Sequence, residues 1–170
     1  VAFDSNSGGI NPSGGGGGGG NDTDFTISAT TVTGNIGDQV CIEVSADNFD
    51  DILSFQYSMN FDPALLQFDE IIDAMNIPDL TFGTNNVNAG NISVLWFDED
   101  DAEGETFPDG IILYQVCFTI LGGNGVVPVT FSGNPTPVEV TDGNEDPVVF
   151  ANNSGGVDVG GTPPPATLTV

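Results

Sequence analysis

Gln39-Val-Cys-Ile-Glu-Val44 and Tyr114-Gln-Val-Cys-Phe-Thr-Ile120 decide the fold class. Both alternate apolar and polar residues at period two, the signature of a half-buried strand. Val40, Ile42 and Val44 form one apolar face, and Val116, Phe118 and Ile120 form another. The cysteines, Cys41 and Cys117, fall on the opposite side of each strand, away from the core. If the two strands are neighbours, cysteines at matching phase can form a cross-strand disulfide, which implies an oxidising compartment. Two unpaired thiols are the alternative. A zinc site is excluded in practice by two cysteines and no histidine.

Strand-like runs of the same kind recur between residues 25 and 159. They are predicted at Phe25–Val32, Gln39–Ala46, Leu53–Phe61, Ile92–Phe97, Ile111–Leu121, Val126–Phe131, Pro137–Thr141 and Val148–Phe150. Turn chemistry separates them: Asn35-Ile-Gly-Asp38, Asp109-Gly110 and Asp142-Gly143. Asp62-Pro-Ala-Leu-Leu66 reads as a single helical turn with proline near its start. Long helical periodicity is absent. Many short strands in one domain point to an all-β, two-sheet β-sandwich.

Composition then restricts the chemistry. The 170 residues hold 25 Asp and Glu and no Lys, Arg or His, for a formal charge of −25. No Ser-His-Asp triad, P-loop lysine, arginine phosphate clamp or histidine metal ligand can be built. Such a chain repels nucleic acid and anionic membrane. No apolar run approaches the ~20 residues of a spanning helix. The acidity suits a saline, cation-rich exterior. Carboxylate-only catalysis needs two carboxyls opposed across a cleft, and nothing in the sequence marks such a pair. The expectation is a non-enzymatic binding or structural module, secreted or at the cell surface.

The two ends of the chain resemble each other. Val1-Ala-Phe-Asp-Ser-Asn-Ser-Gly-Gly-Ile10 matches Val148-Val-Phe-Ala-Asn-Asn-Ser-Gly-Gly-Val157 in register. A Gly/Pro-rich stretch follows each copy, and Phe25-Thr-Ile-Ser28 loosely matches Ala166-Thr-Leu-Thr169. The domain reading is therefore residues 1–10 as the closing strand of a preceding repeat or a donor strand, and 11–24 as a Gly-rich linker. Residues 25–159 form the sandwich, 160–165 a second linker, and 166–170 the start of the next repeat. A tandem array and a polymer of separate chains joined by strand addition both fit.

Within 25–159, several segments resemble the cohesin domain family. Gly37-Asp-Gln-Val-Cys-Ile-Glu-Val44 is similar to its Gly-Asp-x-Val second strand. Leu53-Ser-Phe-Gln-Tyr-Ser-Met-Asn-Phe-Asp-Pro-Ala-Leu-Leu66 is similar to its next strand and the Asp-Pro corner. Asp109-Gly-Ile-Ile-Leu-Tyr-Gln-Val-Cys-Phe-Thr-Ile120, Val127-Pro-Val-Thr-Phe131 and Gly155-Gly-Val-Asp-Val159 follow in family order. The resemblance implies a jelly-roll sandwich of about nine strands. It also implies that the two cysteine-bearing strands are neighbours. Cohesins of cellulosomes bind dockerins, while cohesin-like domains also occur as repeats in large bacterial surface proteins.

Three further features are candidate sites. Asp98-Glu-Asp-Asp101 is the densest carboxylate run, and Asp98, Asp100 and Asp101 are the candidate ligands of a Ca²⁺ ion, which takes 6–8 oxygens. A solvated acidic loop is the competing reading. Asp47, Asp50 and Asp51 form a weaker cluster, and Asp142, Asn144 and Asp146 read as a polar turn. Trp96 is a candidate carbohydrate platform, with core packing as its alternative. The leading expectation is an adhesive or structural repeat of a large bacterial surface protein, with other copies of the repeat as partners. The alternatives are a filament subunit, a dockerin-binding cohesin, and a Ca²⁺-dependent glycan-binding module. Nucleic acid and membrane insertion are not expected.

Overall fold

The alternating segments become the strands of two facing sheets. The computed structural model describes residues 24–74, 76–99 and 103–160, and among them lie twelve strands and one 3-10 turn, with no α-helix. In chain order they are β1 (Phe25–Ala29), β2 (Thr31–Gly34), β3 (Gln39–Asp47), β4 (Ile52–Asn60), β5 (Leu66–Asp73) and β6 (Thr81–Gly83). After the turn Val87–Ala89 come β7 (Asn91–Phe97), β8 (Ile111–Ile120), β9 (Gly125–Ser132), β10 (Glu139–Asp142), β11 (Phe150–Asn153) and β12 (Gly155–Val159). The first sheet has the order β11-β1-β3-β8-β5. The second has the order β2-β12-β9-β4-β7-β6, with β10 also pairing β4. Pairings are antiparallel except β1 with β11 and β2 with β12.

Two of the passages between sheets take a single residue, at small or hydroxylated positions. The run predicted as one strand, Phe25–Val32, divides at Thr30. Its amide donates to the Glu43 carbonyl (3.0 Å) and its hydroxyl accepts from the Glu43 amide (3.0 Å), after which the chain joins the second sheet. The second crossing is at Ser154, between β11 and β12, where Gly155 lies against the carbonyls of Ala29 and Thr30 with no room for a Cβ. β1–β2 and β11–β12 therefore cross together, side by side. β5 and β6 were not predicted. β5 carries a register shift between Phe68 and Glu70 that interrupts the period-two pattern, and β6 is three residues long. The expected turn after Phe61 is present: the Leu66 amide donates to the Asp62 carbonyl (2.9 Å) and the Ala64 amide to Asp62 Oδ1 (2.9 Å).

Aromatic side chains knit the sheets together. Phe25 of the first sheet stacks on Phe55 of the second (5.3 Å), and Phe49 meets Phe25, Phe55, Trp96 and Phe107 edge-on. Such pairs contribute about 0.5–1.5 kcal/mol each beyond their buried area. At the centre, Tyr57 of β4 and Tyr114 of β8 are fully buried and share one hydrogen bond across the gap (Oη···Oη 3.1 Å). Burial pushes both phenols well above the ordinary tyrosine range. Their shared hydrogen bond offsets this slightly for Tyr57, while the charge of an ionised Tyr57 would raise Tyr114 further.

Two predictions follow from this titration pattern. Histidine and lysine, the usual side chains that titrate between about pH 6.5 and 10, are absent, so thermal stability is expected to be level across that window. The buried tyrosines have folded values above the unfolded value of about 10. Their contribution is therefore present below about pH 10 and is lost as the pH rises further. Circular dichroism melts from about pH 6 to about pH 12 should show a plateau and then a fall. Tyr57→Phe with Tyr114→Phe should flatten the fall, and an unchanged alkaline limb would refute the assignment. Second, with no side-chain cation there is no ion pair for salt to weaken. Raising ionic strength from about 0.01 M to about 1 M shortens the screening length from ~30 Å to ~3 Å and should only raise the melting temperature. A decrease would contradict this account of the charge.

Candidate protein-binding face

The disulfide candidates meet as the strand phases require. Cys41 faces Cys117 in the β3–β8 register and the two are joined, with S–S 2.03 Å and Cα–Cα 4.0 Å. They lie on the outward face of the first sheet, yet Cys117 is fully buried, because it sits between Cys41 on one side and Glu70 on the other. The bond closes a separation of 76 residues, a constraint on the unfolded chain of order 4 kcal/mol in the entropic picture. Around it the face is acidic and hydrogen-bonded: Asp69 Oδ2 accepts from Gln39 Nε2 (3.1 Å) and Thr119 Oγ1 (2.8 Å).

Trp96 is not a ligand platform. It is 1% exposed, packs on Phe49 and Phe55, and donates from Nε1 to the Pro78 carbonyl (2.8 Å). Ile92 and Val94, both fully buried, set the phase of β7, and Trp96 follows them inward. Its neighbours Leu95 and Phe97 point out instead, 46% and 45% exposed. Asp98, the first candidate Ca²⁺ ligand, is buried at the end of this strand, and its amide donates to the Leu53 carbonyl (2.9 Å). Asp100 and Asp101 lie outside the described residues. Among the described residues, no group of three or more His, Cys, Asp or Glu is placed to hold a metal ion.

Leu95 and Phe97 belong to a face that sequence reasoning missed. The β-ladder sets its outward residues in rows. One row runs Thr81, Leu95, Gln56, Glu139 across β6, β7, β4 and β10. The next runs Phe97, Ser54, Thr141, with Ser54 Oγ and Thr141 Oγ1 hydrogen-bonded at 2.7 Å. A third row, Gly83, Ser93, Ser58, Ser132, is closed off. Between Ser132, opposite Ser58, and Glu139, opposite Gln56, a regular strand would need one residue; this chain has six, 133–138. The excursion folds over the third row. The Thr136 amide donates to Ser58 Oγ (2.8 Å), Thr136 Oγ1 and Ser93 Oγ lie 2.5 Å apart, and Ser58 is fully buried. Asn60 Nδ2 donates to the Asn134 carbonyl (3.0 Å), anchoring the near end.

Two open rows remain, with two exposed apolar side chains among hydroxyls and an amide. In these rows Glu139 alone carries a charge, on a chain with 25 carboxylates. Protein interfaces are depleted of charge at their centre and anchored by large apolar groups, which is this pattern. The signal was present in Val94-Leu-Trp-Phe97: the phase of Ile92 and Val94 excludes Trp96 from the surface and puts Leu95 and Phe97 on it.

A family profile for the cohesin domain matches residues 25–159. Cellulose-binding protein A of Clostridium cellulovorans is 30% identical over 110 residues, which is 62% of this chain and 6% of that protein's length. A cohesin of Clostridium thermocellum, solved in a type I cohesin–dockerin complex, superimposes with a TM-score of 0.68 at 17% identity, covering 81% of this chain and 99% of the other. A non-cellulosomal cohesin from the archaeon Archaeoglobus fulgidus gives 0.65 at 19% identity, covering 82% and 93%. The chain belongs to the cohesin domain family, and its all-β, two-sheet architecture is the cohesin jelly roll.

The buried position of Trp96 gives a direct test. Trp96→Ala should cost about 3–5 kcal/mol of stability, as for other large aromatic-to-alanine changes in cores. Urea unfolding would measure this. A near-neutral effect would mean that the ring is not the core element described.

Proposed function

We propose that this member of the cohesin family is a non-catalytic, extracellular protein-binding module that captures a dockerin-type partner on the open rows of the second sheet. The observation that carries the reading is the pairing of exposed Leu95 and Phe97 on a face otherwise nearly free of charge. Supporting it, the structurally similar Clostridium thermocellum cohesin was solved with a dockerin bound. The partner would seat apolar side chains on Leu95 and Phe97 and hydrogen-bond to Ser54, Gln56, Thr81 and Thr141. With no cation on this chain, complementarity calls for basic residues at the partner's rim, which would speed association at low salt. The 133–138 excursion would limit the partner to the Leu95–Phe97 half of the sheet.

The disulfide suits an oxidising, extracellular setting. The reading of the chain as one repeat of a larger surface protein is compatible with partner capture and draws on the resemblance between residues 1–10 and 148–157. The glycan-binding alternative loses its platform because Trp96 is buried.

Binding should be measured by calorimetry of the full chain against a set of dockerin domains. A partner should bind, and Leu95→Ser and Phe97→Ser should each weaken it roughly tenfold or more, since losing one buried apolar side chain costs about 1.5–3 kcal/mol. Ile72→Ser, at an exposed site on the other sheet, should change nothing. Absence of any dockerin binding, or binding indifferent to Leu95 and Phe97 but sensitive to Ile72, would overturn the proposal.

A further inference from the structure

We infer that Val1–Ile10 is the sequence counterpart of residues 148–157 from a second copy of this domain that precedes it in the same polypeptide. Residues 1–10 lie outside the described residues; what bears on them is their sequence and the geometry of residues 148–157. Aligned in register, Val1, Phe3, Asn6, Ser7, Gly8 and Gly9 repeat Val148, Phe150, Asn153, Ser154, Gly155 and Gly156. Nearly all of these positions are ones the fold constrains. Val148 packs against the core and its amide donates to the Val140 carbonyl (2.9 Å). The Phe150 ring lies 5.7 Å from Tyr57 and 6.4 Å from Phe25. Asn153 Nδ2 donates to Ser28 Oγ (3.0 Å). A Cβ on Gly155 would strike the carbonyls of Thr30 and Ala29, and one on Gly156 would strike the carbonyl of Val127.

Three of the four differences fall where the structure is permissive, and the fourth is conservative. Ala2 corresponds to Val149, which is 64% exposed, and Ser5 to Asn152, also exposed. Asp4 corresponds to Ala151, paired with Thr26 on the outward face at the sheet edge. Ile10 corresponds to Val157, fully buried, and remains β-branched and apolar. Composition bias toward Gly and Ser does not explain why the retained residues are the constrained ones.

The same geometry separates a tandem copy from strand exchange between chains. The place such a segment would occupy is already filled in this domain: β11 pairs β1, and β12 lies between β2 and β9. A segment from another chain would have to displace it. A preceding copy in cis needs no displacement, and the order of closing strands, Gly-rich stretch and β1 is the order required. If the open face binds as proposed, two such domains in one chain would favour a bivalent partner. The inference about the second copy does not depend on that binding.

The test is to write the upstream sequence into the domain. In the full chain, Val149→Ala, Ala151→Asp, Asn152→Ser and Val157→Ile together convert residues 148–157 into a copy of residues 1–10. The variant is expected to fold with a melting temperature within about 4 °C of the parent, whereas Gly156→Val alone should abolish cooperative melting. A quadruple variant that fails to fold would overturn the inference. Sedimentation of the unmodified chain should show a monomer at all concentrations. Concentration-dependent polymers that vanish on deleting residues 1–10 would replace it with strand donation between chains. The reduced, denatured mass of the protein from its source should accommodate at least two domains; a single-domain mass would also overturn it.

Discussion

No group in any side chain of this protein can carry a positive charge, and the rest of the structure is arranged around that constraint. A carboxylate here finds donors only in amide, hydroxyl and side-chain amide groups. The described acidic residues are used accordingly. Asp38 accepts the Asn35 amide, Asp47 the Gly110 amide, Asp109 the Asn48 amide, and Asp142 the amides of Asn144 and Asp146. Each closes a turn or splices a loop to a strand end. These charge-assisted bonds replace the ion pairs that other acidic surfaces use. Cohesion between the sheets rests on apolar burial, supplied by the aromatic cluster from Phe25 to Trp96, with the paired tyrosines as a hydrogen bond across the gap.

That arrangement explains why the two single-residue crossings are built so tightly. β1–β2 and β11–β12 pass from one sheet to the other together, and Gly155 and Gly156 let their backbones come closer than any side chain would permit. The first sheet is then clasped again by Cys41–Cys117 in its central strand pair. Repulsion among 25 carboxylates opposes compaction. The crossings and the disulfide act on the opposite side of that balance, one by close packing and the other by restricting the unfolded chain.

Much of this was legible in the residues. Strands with clean alternation, β3, β7 and β8, were found nearly to their ends, and the phase of the cysteines matched. What was hidden had local physical causes. β5 does not alternate because a bulge at Phe68–Glu70 reverses its phase midway, so Leu66-Gln-Phe-Asp-Glu-Ile-Ile-Asp73 looks irregular in one dimension. The division at Thr30 depends on Glu43, thirteen residues away, and leaves no local mark. Trp96 drew attention as the single tryptophan, while the phase set by Ile92 and Val94 already placed it inside. The excursion at 133–138 could not be read at all, since its meaning lies in the Ser58 and Ser93 hydroxyls it covers.

The uneven distribution of charge is the stronger argument for a partner than apolar exposure alone. Single exposed apolar residues are ordinary, and Val126 and Val149 are more exposed than Leu95 or Phe97. They sit at a strand end and in a loop, flanked by unrelated surface. Leu95 and Phe97 are two residues apart on an inner strand, and their cross-strand neighbours are Thr81, Gln56 and Ser54. On a chain where about one residue in seven is acidic, two open rows with Glu139 as their one charge are not an average sample of the surface. Burying it against another protein would desolvate few ions, whereas burying the acidic face around the disulfide would desolvate Glu43, Asp69 and Glu70 with no partner cation of its own to compensate. Among the described residues, the rows of Leu95 and Phe97 are thus less costly to cover than the acidic face, and they are the rows that the 133–138 excursion leaves open.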